Sequence, residues 1–230
     1  MKKRISLIAA LFSVALLSNA QQAKEYTTGT SFGLRGGVNF QNVNGKDEDG
    51  KKLENDLIVG FHIGANAEIP IAPGFYFQPG VLYTMKGAKG TDDFLGQTIK
   101  ATVRLSYIEV PLNLVYKPTL GTGRLLLGFG PYVAFGIGGE VKYEGGGTTV
   151  TQKIKYKKMV MNSDPDDVAY FKPMDAGANF LFGYEFTEKI SVQLNAQLGL
   201  VKINPEYEGN TNDQTSAKNT GFGFSLGYRF

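Results

Sequence analysis

The residues with chemistry to offer are charges placed inside otherwise alternating segments: Arg35, Lys86, Arg104, Lys117 and Arg229 as cations, Glu68, Glu109, Asp175 and Glu185 as carboxylates. Each stands on the face opposite an apolar run, so each is expected to point away from the surface that the apolar face covers. Charges withdrawn from water need partners, and a buried paired carboxylate usually neutralises a neighbour rather than transferring protons. These residues therefore read as an interior charge network, centred on Arg35, Glu68, Arg104, Glu109, Asp175 and Arg229. Glu109 is expected to accept charge-assisted hydrogen bonds from one or more of Arg35, Arg104 and Arg229.

Other groups with catalytic or ligating chemistry read as structural. His62 is the single histidine; it points inward from mid-segment between Gly60 and Gly64, and no serine occupies a nucleophile motif that would pair with it. The runs Gly128-Phe-Gly130 and Gly136-Ile-Gly138-Gly139 resemble phosphate loops only superficially, because no helix follows them. Asp47-Glu48-Asp49-Gly50 and Asp164-Pro165-Asp166-Asp167 offer oxygen ligands without the spacing of a calcium loop. No catalytic, cofactor-binding or metal-ligating residue is assigned. The chain has no cysteine, which removes disulfides and thiolate metal sites from consideration.

The elements that must position the charges are strands. Residues 219–230 alternate strictly, with Thr220, Phe222, Phe224, Leu226, Tyr228 and Phe230 on one face and Asn219, Gly221, Gly223, Ser225, Gly227 and Arg229 on the other. An apolar outer face and a small or polar inner face is the pattern of a strand between lipid and a narrow lumen. Similar alternation recurs at residues 31–40, 57–69, 75–86, 99–117, 124–138, 174–186 and 190–203. In the fourth, the apolar parity changes from Val103 and Leu105 to Ile108, Val110 and Leu112, which predicts a bulge near Tyr107. Pro111 removes a ladder donor and predicts a further local irregularity. The fold class expected is all-β, an eight-stranded antiparallel up-and-down transmembrane β-barrel. Lipid leaves no open sheet edge satisfied, so the sheet must close.

The N-terminus sets the compartment. Met1-Lys2-Lys3-Arg4, an apolar stretch from Ile5 to Leu17 and the small residues Ser18-Asn19-Ala20 form a secretory signal peptide, residues 1–20, too short in its apolar core to span a membrane. Residues 21–30 follow as a periplasmic segment and 31–230 as the barrel domain. The chain holds 24 Lys+Arg against 21 Asp+Glu; three of the cations lie in the signal, leaving 21 of each. Nothing in this balance argues for nucleic acid.

Connections sort by length. Residues 41–56, 87–98, 139–172 and 204–218 are long and hydrophilic, whereas 70–74, 118–123 and 187–189 are short. Long loops outside and short turns inside place both mature termini in the periplasm. Residues 141–156 alternate around Gly145-Gly146-Gly147, so a hairpin is expected to rise above the membrane there. Lys153, Lys155, Lys157 and Lys158 with Tyr143 and Tyr156 give the 139–172 loop a basic, aromatic surface for lipopolysaccharide phosphates or a protein partner.

The stretch Tyr107-Ile108-Glu109-Val110-Pro111-Leu112-Asn113-Leu114 resembles the Tyr-(Ile/Leu)-Glu-(Ile/Val)-Pro-Leu segment of the PorT-like outer-membrane β-barrel family common in Bacteroidota. The Gly33-Leu34-Arg35-Gly36-Gly37-Val38-Asn39 opening, the Phe77-to-Tyr83 segment and the Phe180-to-Phe186 segment fit the same family. The resemblance implies an eight-stranded outer-membrane barrel with no assigned activity. The terminal segment also resembles the C-terminal assembly signal of bacterial outer-membrane proteins, which implies that Tyr228 and Phe230 are read by the barrel assembly machinery.

An eight-stranded barrel is just wide enough for its own side chains to fill. The sequence therefore reads as a non-enzymatic, integral outer-membrane protein with a structural or interaction role, in contact with outer-membrane lipid and lipopolysaccharide. The alternatives are a narrow small-solute transporter and a lipid-modifying enzyme.

Overall fold

A computed structural model describes residues 29–94, 97–186, 189–210 and 213–230. The signal peptide expected at residues 1–20 and the start of the segment expected after it lie outside the described residues. Eight long strands form the body: β1 (Ser31–Lys46), β2 (Ile58–Ala72), β3 (Phe75–Phe94), β4 (Gln97–Tyr116), β5 (Gly123–Gly145), β6 (Met174–Glu185), β7 (Ile190–Gly199) and β8 (Ser216–Arg229). Each pairs antiparallel with the next in sequence, and β8 returns to β1 from Gly33↔Arg229 to Lys46↔Ser216, closing the ring. The backbone of Phe230 continues the seam by donating to the Phe32 carbonyl at 2.9 Å. Closure leaves the ring without an edge, the condition for a sheet in lipid.

The burial pattern inverts that of a soluble protein. The outward residues of β1, β2, β5, β6 and β8 include Phe32, Leu34, Phe61, Ile63, Phe129, Phe135, Phe180, Phe182, Phe224 and Leu226, all exposed. Arg35, Glu68, Lys86, Glu109, Lys117, Asp175 and Glu185 are buried. At roughly 25 cal/mol per Å², an exposed apolar surface this continuous is tolerable only where the surrounding medium is itself apolar.

All long connections leave from one end of the ring, here called the loop end; the β2–β3 join around Gly74, the β4–β5 join over residues 117–122 and the closure of Phe186 on Ile190 between β6 and β7 lie at the other. In one expected loop, residues 87–98, the described residues 87–94 and 97–98 are instead strand: β3 and β4 are 20 residues each and pair as far as Phe94↔Gln97. A crossing needs only about 9–11 residues, so the hairpin projects well past the apolar band. The sequence of this stretch lacks apolar alternation, which hid it from a search for that pattern. The hairpin expected at residues 141–156 is formed by β5 and a further strand, Thr148–Tyr156, turning on Gly146 and Gly147, both at positive φ (56° and 78°). Positive φ at both turn centres favours Gly in a two-residue hairpin turn. The chain then folds back over the mouth of the ring.

The register shift expected near Tyr107 is present, but the extra residue belongs to the neighbouring strand. Ser106 faces Gly138 and Tyr107 faces Gly136, so Ile137 of β5 is the bulged residue. Along β4 the parity is unbroken, with Leu105, Tyr107 and Glu109 all buried. Leu105 therefore points inward and Arg104 outward, the reverse of expectation. Around Pro111 the register is unchanged, but the ladder is interrupted on both sides, from Leu82↔Glu109 to Pro79↔Leu112 and from Pro111↔Tyr132 to Leu114↔Phe129, which is the local irregularity expected there.

Candidate functional site: a filled lumen

The interior is built in three tiers. Nearest the short turns, Lys117 from the end of β4 and Arg229 from the end of β8 are clamped between Glu68 (β2) and Glu185 (β6). Lys117 Nζ lies 2.9 Å from Glu185 Oε2 and makes a short contact to Glu68 Oε2. Arg229 pairs with Glu68 at 2.9 Å through Nη1 and with Glu185 through Nη2. Gln78 adds a neutral donor to Glu68 at 3.3 Å, and Lys117 Nζ sits 5.1 Å from the Tyr76 ring centroid. Two carboxylates shared by two cations meet the requirement for burying charge, whose desolvation costs several kcal/mol per ion unless geometry and extra hydrogen bonds offset it.

The middle tier is neutral apart from Arg35. His62 Nδ1 is 2.5 Å from Asn39 Oδ1, and His62 Nε2 is 2.7 Å from Ser225 Oγ. The Asn39 amide is held in turn by Thr84 Oγ1 at 3.2 Å and the Met85 carbonyl at 3.0 Å. This is the order nucleophile, base, orienter, assembled from three strands far apart in sequence. However, Asn195 Nδ2 donates to Ser225 Oγ at 2.7 Å. With Nδ1–H directed at Asn39, Nε2 accepts the serine proton while the serine oxygen accepts from Asn195, so the hydroxyl is committed on both counts. Arg35 borders two small cavities of about 40 and 30 Å³, each room for only a few waters at roughly 10–15 Å³ apiece.

Above these, Lys86 of β3 is the cation between Glu109 of β4 and Asp175 of β6, at 2.8 and 3.0 Å. All three side chains are at most 1% exposed. Gln197 donates to Glu109 at 2.6 Å and Asn219 to Asp175 at 2.9 Å, while the ammonium lies 4.0 Å from the Tyr132 ring centroid. Over this tier sits an apolar cap of Val43, Ala88, Leu105, Tyr107, Tyr132, Ala134, Val141, Ile154, Ile203 and Ala217, with Tyr156 packed against it. Ile154 and Tyr156 come from the strand after the β5 hairpin and Ile203 from the β7–β8 connection, so the loops supply part of the cap. Tyr156 donates to the Gly138 carbonyl at 3.0 Å, and its ring fills the space a side chain at Gly136 would need.

The expected network residues thus separate. Glu68 and Arg229 meet in the lower tier and Glu109 and Asp175 in the upper. Arg35 is buried between them without an ion-pair contact among the described residues. Arg104 does not belong: it lies 3.7 Å from Glu140, both side chains more than 40% exposed. Apolar parity misassigned it because the lumen near the loop end is itself apolar, so Leu105 turns inward to the cap. The direct partners of Glu109 are Lys86 and Gln197 rather than any arginine. Gln197, Asn219 and Tyr132 were not expected as partners of the charges, because a neutral residue on an inward face gives no sign of which strand it will meet. The acidic runs hold local cations: Asp49 pairs with Lys51 at 3.1 Å and Asp164 with Lys157 at 2.6 Å. Tyr228 and Phe230 face outward at the turn end, their rings 5.4 Å apart edge to face.

A closed antiparallel ring of eight strands with a lipid-compatible exterior and a self-paired polar interior is a membrane β-barrel. Residues 19–204 match the family model described as the outer membrane protein beta-barrel domain, and the chain belongs to that family. No curated protein matches the sequence. Among solved structures it is similar to Ail, the attachment invasion locus protein of Yersinia pestis, solved in complex with the heparin analogue sucrose octasulfate. That match has 14% identity over 87% of this chain and 99% of that chain, with a TM-score of 0.38. It is also similar to Neisserial surface protein A, with 13% identity over 88% of this chain and 99% of that chain and a TM-score of 0.44.

Proposed function

We propose that the protein is a non-enzymatic, non-conducting barrel of the outer membrane, of the PorT-like kind, that acts as a rigid mount for the surface at its loop end. A signal peptide over residues 1–20 exports it, both mature termini lie in the periplasm, and Tyr228 with Phe230 serves as the signal for the assembly machinery. The observation that supports this reading best is the lumen itself: two ion-paired tiers and an apolar cap stand in series across the axis. A permeating ion would have to break the Lys86 and Lys117 clusters, each costing about 3–5 kcal/mol when one partner is withdrawn. Reconstitution in planar bilayers tests it. The expected result is no single-channel conductance from the wild type; regular, saturable conductance steps would favour the transporter reading instead.

The Asn39–His62–Ser225 chain is the one feature that favours an enzyme. Its hydroxyl oxygen already accepts a hydrogen bond from Asn195, and it sits enclosed between the ion-paired tiers. A fluorophosphonate probe is accordingly expected to leave Ser225 unmodified in folded protein, and labelling abolished by His62→Ala would reverse that conclusion.

A further inference from the structure

The outward turn of Arg104 places it on a face built from four strands beyond the apolar band. On β4, the outward residues run from Ile108 through Ser106 to Arg104 and Lys100, with Thr102 of the same parity buried between the last two. Across the register, Arg104 lies beside Glu140, Thr102 beside Lys142, and Lys100 beside Glu144 on β5. The next strand sets Lys153 beside Glu140, and β3 sets Lys89 beside Thr102. Cross-strand neighbours share a face, so Lys89, Lys100, Arg104, Lys142 and Lys153 form one basic surface. Its acidic members are Glu140, Glu144 and Asp56, the last bridged through its backbone to Lys89. Cations outnumber carboxylates. The Glu144 carboxyl is held below its usual range, first by the hydrogen bond and charge of Lys142 and then by the charges of Lys100 and Lys89.

Depth selects the partner. Tyr83 and Ser106 are hydrogen-bonded at 2.9 Å on the outward face, and Tyr83 packs against Phe61 with ring centroids 5.4 Å apart. A tyrosine with an apolar body and a bonded hydroxyl marks the edge of the hydrocarbon. Arg104 stands two residues farther along β4 and the Thr102–Lys142 pair two more. At about 3.3 Å per residue and a tilt near 45°, these lie roughly 5 and 10 Å above that edge, the depth of lipid phosphates. A soluble partner would meet the loop tips first; a lipid headgroup meets this wall.

We infer that the outward wall formed by Lys89, Lys100, Arg104, Lys142 and Lys153 is a docking site for a phosphorylated glycolipid of the outer leaflet, its phosphates seated on Arg104, Lys142 and Lys89. Phosphates of neighbouring glycolipids repel one another, and fixed cations at their depth relieve that repulsion. The inference deepens the proposed mounting role and rests on the loop end facing outward.

Two experiments test the site and the orientation separately. Full-length mature protein in phosphatidylcholine nanodiscs is titrated with bisphosphorylated lipid A and with the same lipid stripped of phosphate. Each interfacial cation contributes roughly fivefold to affinity for an anionic surface. The triple variant Lys89→Gln, Arg104→Gln, Lys142→Gln, checked for folding by heat-modifiable migration, is therefore expected to bind the phosphorylated form on the order of 100-fold more weakly. A Lys51→Gln, Lys52→Gln variant, altered in the β1–β2 loop, should bind as wild type, and millimolar inorganic phosphate should not compete. Equal affinity of wild type for the two lipid forms, an unchanged triple variant, an equally weakened loop variant, or displacement by free phosphate would overturn the site. For orientation, the chain lacks cysteine, so Asp167→Cys is treated in intact cells with a membrane-impermeant maleimide. Labelling is expected without permeabilisation. Labelling only after permeabilisation would overturn the orientation and the docking site with it, whatever the nanodisc result.

Discussion

Lys86 is the residue on which the upper half of the lumen depends, because it is the cation in ion-pair contact with both Glu109 and Asp175. Removing one carboxylate leaves Lys86 with the other, whereas removing the lysine leaves two carboxylates facing each other out of water. Lys86→Met should therefore destabilise more than Glu109→Gln, with both near or above the 3–5 kcal/mol typical of a broken buried pair. The triple change Lys86→Met, Glu109→Gln, Asp175→Asn should recover much of the loss, since no uncompensated charge remains. Urea midpoints in detergent or liposomes, compared at constant slope, check the order. Equal midpoints for wild type and Lys86→Met would show that the cluster is solvated. The sequence carried the signs of these charges and their inward direction on β3, β4 and β6, but not their pairing. Partner choice depends on the stagger between strands distant in sequence, and a strand's own alternation contains no information about stagger.

At the scale of elements, all eight strands were legible as period-2 patterns because lipid demands an apolar face along the whole crossing. What was not legible lies beyond the hydrocarbon. There β3, β4 and β5 continue as polar hairpins, and the inside and outside of the wall no longer differ in hydropathy. The same loss of contrast moved the bulge from β4 to Ile137 of β5 and turned Arg104 around. The cap makes this region testable. A Cβ at Gly136 would lie 2.2 Å from the Tyr156 ring, so Gly136→Ala must displace the ring. Overpacking of this kind costs about 1–3 kcal/mol. In a Tyr156→Ala background the same substitution should cost little, because the clash is gone. The measurement is a double-mutant cycle read by unfolding and by protease cleavage within residues 157–171. Additive effects of the two changes would mean that Tyr156 does not occupy the mouth.

The whole molecule is one cooperative closed ladder, and its seam decides whether it forms. The β8–β1 pairing joins the last strand of the chain to the first, so no part of the ring is complete until residues near 230 have been placed. Sequence separation of that size makes closure the slow, entropically costly step. The outward aromatic pair Tyr228 and Phe230 lies at the turn end of this seam strand, where an interfacial girdle is expected and where assembly factors could hold the strand during closure. Once closed, every barrel strand is paired on both sides, and detergent has no edge from which to peel it. Folded protein should therefore migrate faster on a denaturing gel than boiled protein. Replacing Tyr228 and Phe230 together by Ser leaves the lumen and the backbone ladder unchanged. If those rings act during assembly, the variant should be exported yet accumulate as protease-sensitive periplasmic material, with the heat-modifiable form depleted in the outer membrane. The same variant, refolded in detergent without assembly factors, should still show the migration shift. Normal outer-membrane levels in cells would remove the assembly role, and failure to shift after refolding would assign the rings to stability of the closed barrel instead.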